Sequence, residues 1–204
     1  ASVNRGYRGG AFNAQAYVAL DELTQADPET LMAYEVGIKQ SVLDGSLQYA
    51  AAAFYYDYQD QQFLDIDASA LQRVANIDES TIIGAELEVA WLPLHDLSFN
   101  FSLSLLDSEI QKGELRGIDL EGNELPNAPR YSATASMDWT FMRFSEAELL
   151  MNLNGRYVDA QYFDVYEVDR LEQSSYGLLN GRLSYIDVKA GLEAHLWVKN
   201  IFEE

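Results

Sequence analysis

The stretch that most constrains this chain is Gly84–Asp107, GAELEVAWLPLHDLSFNFSLSLLD. Ala85, Leu87, Val89 and Trp91 hold the odd positions of its first half, with Gly84, Glu86, Glu88 and Ala90 between them. Leu97, Phe99, Phe101, Leu103 and Leu105 hold the odd positions of its second half, against Ser98, Asn100, Ser102 and Ser104. A period of two separates these sets onto opposite faces of a strand, and no helical reading keeps them apart. Pro93-Leu94-His95-Asp96 between them is a short breaker suited to a tight reversal. The stretch therefore predicts a long antiparallel hairpin, apolar on one face and hydroxyl, amide or carboxylate on the other.

The same unit recurs along the chain and predicts nine strands. Ala1 to Arg8 reads as the first, and an irregular stretch follows from Gly9-Gly10 to Asp27-Pro28. The second starts near Ala33, with Tyr34, Val36, Ile38 and Val42 opposite Glu35, Gly37, Lys39 and Ser41, and Asp44-Gly45-Ser46 turns it. The third, Leu47 to about Asp60, mixes its parities: Leu47, Tyr49 and Tyr55 on one side, Phe54, Tyr56 and Tyr58 on the other. That mixture predicts a bulge or a strand buried on both faces. A loop is expected over 61–76, and the longest polar connection over 108–129. Tyr131 to Phe141 is the sixth strand, turned at Arg143 to Glu146; Leu149, Met151, Leu153 and Tyr157 mark the seventh. After a loop near 159–174 come Leu179, Leu183 and Tyr185, then Leu192, Ala194, Leu196 and Val198.

Composition removes several classes. With 13 Lys plus Arg against 33 Asp plus Glu, the net charge of -20 excludes a phosphate-binding surface, so no nucleic-acid partner is expected. There is no cysteine, hence no disulfide and no thiolate metal site. No run of 18 apolar residues exists, so no membrane helix is expected; barrel strands carry a far weaker signal and stay open. No leader pattern follows Ala1, and the opening residues already read as the end of a strand, so a fragment is expected.

Strand length and connection asymmetry choose between all-β classes. Soluble strands average about five or six residues, whereas these run to ten or more. Long polar connections alternate strictly with short turns, as in transmembrane barrels. Lipid offers no hydrogen bonds, so a membrane sheet must pair every strand and close on itself. The apolar face then meets lipid and the polar face a wet lumen. Trp91, Trp139, Tyr131, Tyr157 and Tyr185 sit near strand ends on the apolar parity, where an aromatic girdle belongs. A soluble sandwich, with the apolar face as core, is the alternative that the strand lengths and the asymmetry oppose.

Six stretches, in order, resemble the C-terminal half of the barrel of TonB-dependent outer-membrane receptors. They are Asn4-Arg5-Gly6-Tyr7-Arg8-Gly9-Gly10-Ala11-Phe12-Asn13; Pro28-Glu29 with Tyr34-Glu35, Gly37 and Lys39; and Phe54 with Tyr58, Asp60 and Gln62. The others are Asn76, Ser80, Gly84, Glu86 and Glu88; Leu125-Pro126-Asn127-Ala128-Pro129-Arg130; and Trp197-Val198-Lys199-Asn200-Ile201-Phe202-Glu203-Glu204, where Ile201 and Glu203 depart mildly from the pattern. The resemblance implies an all-β fold: about nine strands of a 22-stranded antiparallel transmembrane β-barrel, with 1–204 a partial barrel domain lacking plug and final strand. It implies the outer membrane of a Gram-negative bacterium. The partners it implies are lipid and lipopolysaccharide, the receptor's own plug domain, the TonB complex and an iron chelate or similar small ligand. The activity implied is TonB-driven uptake of a scarce nutrient, by default a ferric siderophore; haem, cobalamin or oligosaccharide uptake, or a passive porin or structural barrel, are the alternatives. Alone, a nine-stranded piece has open edges and is expected to aggregate or curl open rather than transport.

On that resemblance Tyr162, Phe163, Tyr166 and Arg170 lie in an outer connection where such receptors grip ferric chelates. Glu86 and Glu88 fall on the inner wall facing the plug, and Arg156 and Arg182 share that wall, balancing the acids or meeting an anionic ligand. Asp65, Asp67 and Asp78 offer oxygen ligands but lack EF-hand spacing, so a solvated acidic loop is expected and no metal or cofactor. His95 in a turn and His195 on a strand mark no catalytic constellation, and no enzyme is expected.

Overall fold

The computed structural model of the protein describes residues 1–13, 24–66 and 72–202. Nine strands form one antiparallel meander: β1 Ser2–Arg8, β2 Glu29–Val42, β3 Leu47–Ile66, β4 Gln72–Leu94, β5 Leu97–Lys112, β6 Tyr131–Arg143, β7 Ala147–Val158, β8 Tyr176–Asp187 and β9 Leu192–Val198. Each pairs with its neighbour in sequence. The sheet is not closed: β1 and β9 are its two edges.

Register keeps the two faces apart across the sheet. Leu47 opposes Trp91, Trp91 opposes Phe99, Phe101 opposes Ala135, and Leu153 opposes Gly181, all on the apolar side. Ala50, Glu88, Ser102, Thr134 and Arg156 form one row on the polar side. A one-residue slip would exchange the faces, so the alternation itself enforces this register.

The apolar face is bounded by aromatics at both ends. Trp91 stacks on Phe99 at 5.7 Å beside the short turns, near Trp139 with Phe141; Tyr185 also lies at this end. Tyr131, Tyr157, Tyr34 and Tyr55 stand at the end that bears the long connections, all more than a third exposed. Tyr131 and Trp139 are eight residues apart on one strand. At about 3.4 Å per residue that is about 27 Å along the strand. A tilt of about 40° reduces it to about 20 Å, close to the apolar band of an outer-membrane barrel.

The structure revises several boundaries. The third strand has no bulge against β2, since pairing runs unbroken from Thr30↔Gln59 to Val42↔Leu47. Phe54, Tyr56 and Tyr58 simply lie on the polar-side parity. The expected loop over 61–76 is mostly strand: β3 and β4 run to 20 and 23 residues, and Gln61↔Ile77 to Ile66↔Gln72 extend the ladder. Polar residues such as Gln61, Gln62 and Asn76 hid these extensions, because beyond the aromatic rows the strands no longer carry an unbroken apolar face. The alternation changes parity there, at Asp60 (φ 54°) and at a register shift between Glu79 and Ser80. β2 likewise starts at Glu29, and β5 runs to Lys112. Asp67, Glu203 and Glu204 lie outside the described residues.

Candidate functional site: the polar wall and the mouth above it

The polar wall is a lattice of amides, hydroxyls and isolated charges. Asn180 donates to Asn154 at 2.9 Å, Arg182 Nε to Asn152 Oδ1 at 3.0 Å, and Asn152 in turn to Asp138. Asn152 thus bridges Arg182 and Asp138 without a direct ion pair. A concavity of about 510 Å³ is lined by Lys39, Ala50, Glu88, Asn100, Thr134 and Arg156. The small side chains of Ala50, Ser102 and Thr134 leave this space open between the longer ones. Glu88 and Arg156 share a row but stand three strands apart, about 14 Å. In water two unit charges so placed attract by about 0.3 kcal/mol, too little to hold them together. Among the described residues Glu86, Glu88 and Arg156 form no ion pair. Among the described residues the structure therefore does not pair Glu86 or Glu88 with Arg156 or Arg182.

Higher on the same face the wall turns aromatic. Phe54 and Tyr56 stack with centroids 4.8 Å apart at 26°. The Phe54 ring lies directly over Gly84: a Cβ there would sit 2.3 Å from Cζ and 2.7 Å from Cε2. Glycine at this position is required by close approach.

At the mouth, two connections fold onto the β3–β4 hairpin. Leu115, Leu120 and Leu125 from 113–130 and Val165 from 159–175 bury against Ile77 and Ile110, with Phe63, Ile82 and Tyr166 at the margin. Asn123 donates to the Val165 carbonyl at 2.9 Å, and the Asn127 amide to that of Tyr162 at 2.8 Å. Tyr166 donates its hydroxyl to Asp65 at 2.9 Å, and Arg116 forks onto the same carboxylate. Partial burial, then that hydrogen bond and the Asp65 charge, push the Tyr166 hydroxyl up to about 12. The Tyr162 hydroxyl is also raised, by desolvation first and by Glu172 and Glu167. Of the four residues expected to meet ligand, Tyr166 is engaged inside the protein. Phe163 and Arg170 are exposed, and Tyr162 is half-buried.

Several residues of the stretches that carry the resemblance meet on the other side of the hairpin. Gln62 Nε2 donates to the carbonyls of Gly9 (3.0 Å) and Asp27 (2.9 Å), and its backbone amide donates to Glu29 Oε2 (2.7 Å). Asn76 donates to Asp60 and Asp27 and accepts from the Asp27 amide. Asn13 exchanges two hydrogen bonds with the backbone of Val74. These residues anchor both feet of the first long connection. Their separation along the chain, from 9 to 76, hid this shared role in the sequence.

The remaining candidates have structural partners. Asp65 is held by Arg116, and Asp78 pairs with Lys112 at 2.9 Å; no group of metal-ligating side chains occurs among the described residues. His195 Nδ1 lies 3.0 Å from Ser184 Oγ and its Nε2 3.5 Å from Glu193. This Ser–His–Glu string follows from the pairing Ser184↔His195, which a sequence does not display. Ser184 is 2% exposed, which leaves its hydroxyl no room to meet a substrate carbonyl.

Comparison with known proteins agrees with this architecture. The family model described as TonB dependent receptor-like, beta-barrel, matches residues 1–201. The probable TonB-dependent siderophore receptor PiuA of Acinetobacter baumannii is 29% identical over 147 residues, covering 68% of this chain and 19% of that protein. The ferric yersiniabactin uptake receptor FyuA of Yersinia pestis matches with a TM-score of 0.79 at 25% identity, over 99% of this chain and 29% of that one. The crystal structure of PiuA matches with a TM-score of 0.69 at 25% identity, over 87% of this chain and 25% of that one. The chain thus spans about a fifth of the length of the curated relative. The match over nearly the whole chain, on a nine-stranded meander with a polar inner wall, places this protein in the TonB-dependent receptor β-barrel family.

Proposed function

We propose that this chain is part of the wall of an outer-membrane receptor that takes up a ferric siderophore, driven through TonB. The observation that carries the reading is the superposition of 99% of the chain on a protein named as a ferric yersiniabactin uptake receptor. Two physical features support it. The girdles, about 20 Å apart, fit an outer-membrane band. The wall between them holds Glu86, Glu88 and Arg156 with no ion pair among the described residues, which suits a polar plug filling the lumen better than bulk lipid. In this reading Glu86, Glu88, Arg156 and Arg182 face the plug, and Tyr162, Phe163 and Arg170 present aromatic and cationic groups to the chelate at the mouth; Tyr166 supports that surface from beneath. An open edge at β1 or β9 leaves backbone groups unpaired in lipid, so the working receptor closes its barrel with further strands.

The test is uptake by the native host. Disrupting the gene is expected to abolish growth on one ferric siderophore as sole iron source, and iron starvation is expected to raise the receptor's abundance. Unchanged use of every ferric chelate together with loss of haem, cobalamin or oligosaccharide uptake would reassign the cargo. Retained uptake after removal of TonB would overturn the energised mechanism in favour of a passive barrel.

A further inference from the structure

Asp65, near the top of β3, is held from two directions. Arg116 of the 113–130 connection places Nη2 2.5 Å from Oδ1 and Nε 2.7 Å from Oδ2. Tyr166 of the 159–175 connection donates its hydroxyl to Oδ1 at 2.9 Å, and the Arg116 guanidinium stands 5.7 Å from the Tyr166 ring centroid. The Asp65 side chain is 9% exposed, so the carboxylate depends on these donors. Below this triangle both connections share one apolar core, Leu115, Leu120 and Leu125 from one and Val165 from the other, over Ile77 and Ile110. The core lies on the inward side. The Leu125 amide bonds Ser108 Oγ, and Ser108 opposes Ile82 in the row that carries Tyr56.

We propose that 113–130 and 159–175 form a single lid folded inward over the mouth of the lumen and latched at Asp65, so that the two connections open together or not at all. The shared core is the first reason. Lifting either connection alone exposes the apolar side chains of the other. The second is electrostatic. Withdrawing one connection removes part of the donor set from a nearly buried carboxylate, which makes the half-open state unfavourable. Charge-assisted forks are geometrically exacting, so the latch has one closed arrangement rather than a range of them. The lid stands whatever the cargo. If the protein takes up a bulky chelate, passage past this sector needs the lid to lift as one body.

Hydrogen exchange on the full-length receptor in detergent, resolved by peptide, tests this with Tyr166→Phe and Arg116→Ala. Tyr166→Phe keeps the ring in the core and removes only the hydroxyl, so the fold is retained. A hydrogen bond to a charged group is worth about 1.5 kcal/mol or more, which is about tenfold in an opening equilibrium. Tyr166→Phe is expected to speed exchange about tenfold in 113–130 as well as in 159–175, and Arg116→Ala to do the same in both. The β6 and β7 amides keep their rates. Acceleration confined to the connection that carries the substitution overturns the coupled lid, as does no acceleration in either. Acceleration that spreads into β6 and β7 also overturns it, because the contacts would then serve the barrel as a whole.

Discussion

Adding one methyl group at Gly84 is a severe perturbation of this sheet. A Cβ built there would lie 2.3 Å from Phe54 Cζ, 2.7 Å from Cε2 and 2.9 Å from the Leu105 carbonyl oxygen. Carbon atoms pack at about 3.5–4.0 Å, so the ring must move by more than 1 Å. That displacement breaks its stacking on Tyr56, worth about 0.5–1.5 kcal/mol, and adds overpacking strain of about 1–3 kcal/mol. Alanine recovers about 0.5–1 kcal/mol from the lower backbone freedom of the unfolded chain. The net expectation for Gly84→Ala is a loss of about 2 kcal/mol in the full-length receptor. With Phe54→Ala as background the ring is gone and only the Leu105 carbonyl remains close, so the same substitution is expected to cost less than about 1 kcal/mol. Gly155→Ala is the control, since its Cβ would meet nothing nearer than 3.6 Å. It is expected to be neutral or to stabilise by up to about 1 kcal/mol. Denaturant unfolding of the barrel, followed by electrophoretic mobility of the folded form, reads the four variants against the wild type. Equal effects of Gly84→Ala and Gly155→Ala, or no coupling with Phe54→Ala, would refute the steric argument.

Leu43 sits in the β2–β3 turn at φ 54° with 65% exposure, so Leu43→Asn is expected to stabilise the receptor by about 1 kcal/mol in the same unfolding assay. Tyr166 has its hydroxyl pushed up to about 12 in the folded state against 10.0 ordinarily. Its contribution to the closed lid is therefore complete below pH 10 and lost as pH rises through about 12. The tyrosinate absorbance difference between wild type and Tyr166→Phe is expected to titrate near the upper value; a midpoint near 10 would contradict the buried hydrogen bond. Arg143 bridges Asp96 at 2.6 Å between two short turns with both partners over a third exposed, so Arg143→Gln is expected to cost less than about 1 kcal/mol and to show no penalty in high salt.

Much of the sheet was legible because period-two alternation is a local property. Each strand from 84 to 141 carries its own two-faced pattern, and the lengths of the connections between strands can be counted directly. Legibility ended above the aromatic girdle. Residues 61–66 and 72–80 pair beyond the two-faced part of the sheet, where polar and apolar side chains no longer alternate cleanly, and their ladder could not be separated from a loop by composition. Tyr166 shows the same limit at the candidate site. An aromatic residue in a polar loop carries no local sign of its partner, and here Asp65, 101 residues earlier, accepts its hydroxyl.

The sequence by itself determined the class of sheet, the split between an apolar and a polar face and the end that carries the long connections, because each follows from residue spacing within one hairpin. Tertiary structure alone decided which connections share a core, which motif residues anchor the first connection and which wall charges form no ion pair among the described residues. Those outcomes depend on register and on contacts between residues tens of positions apart, and the free energy of such contacts is set by burial and geometry that no local pattern encodes.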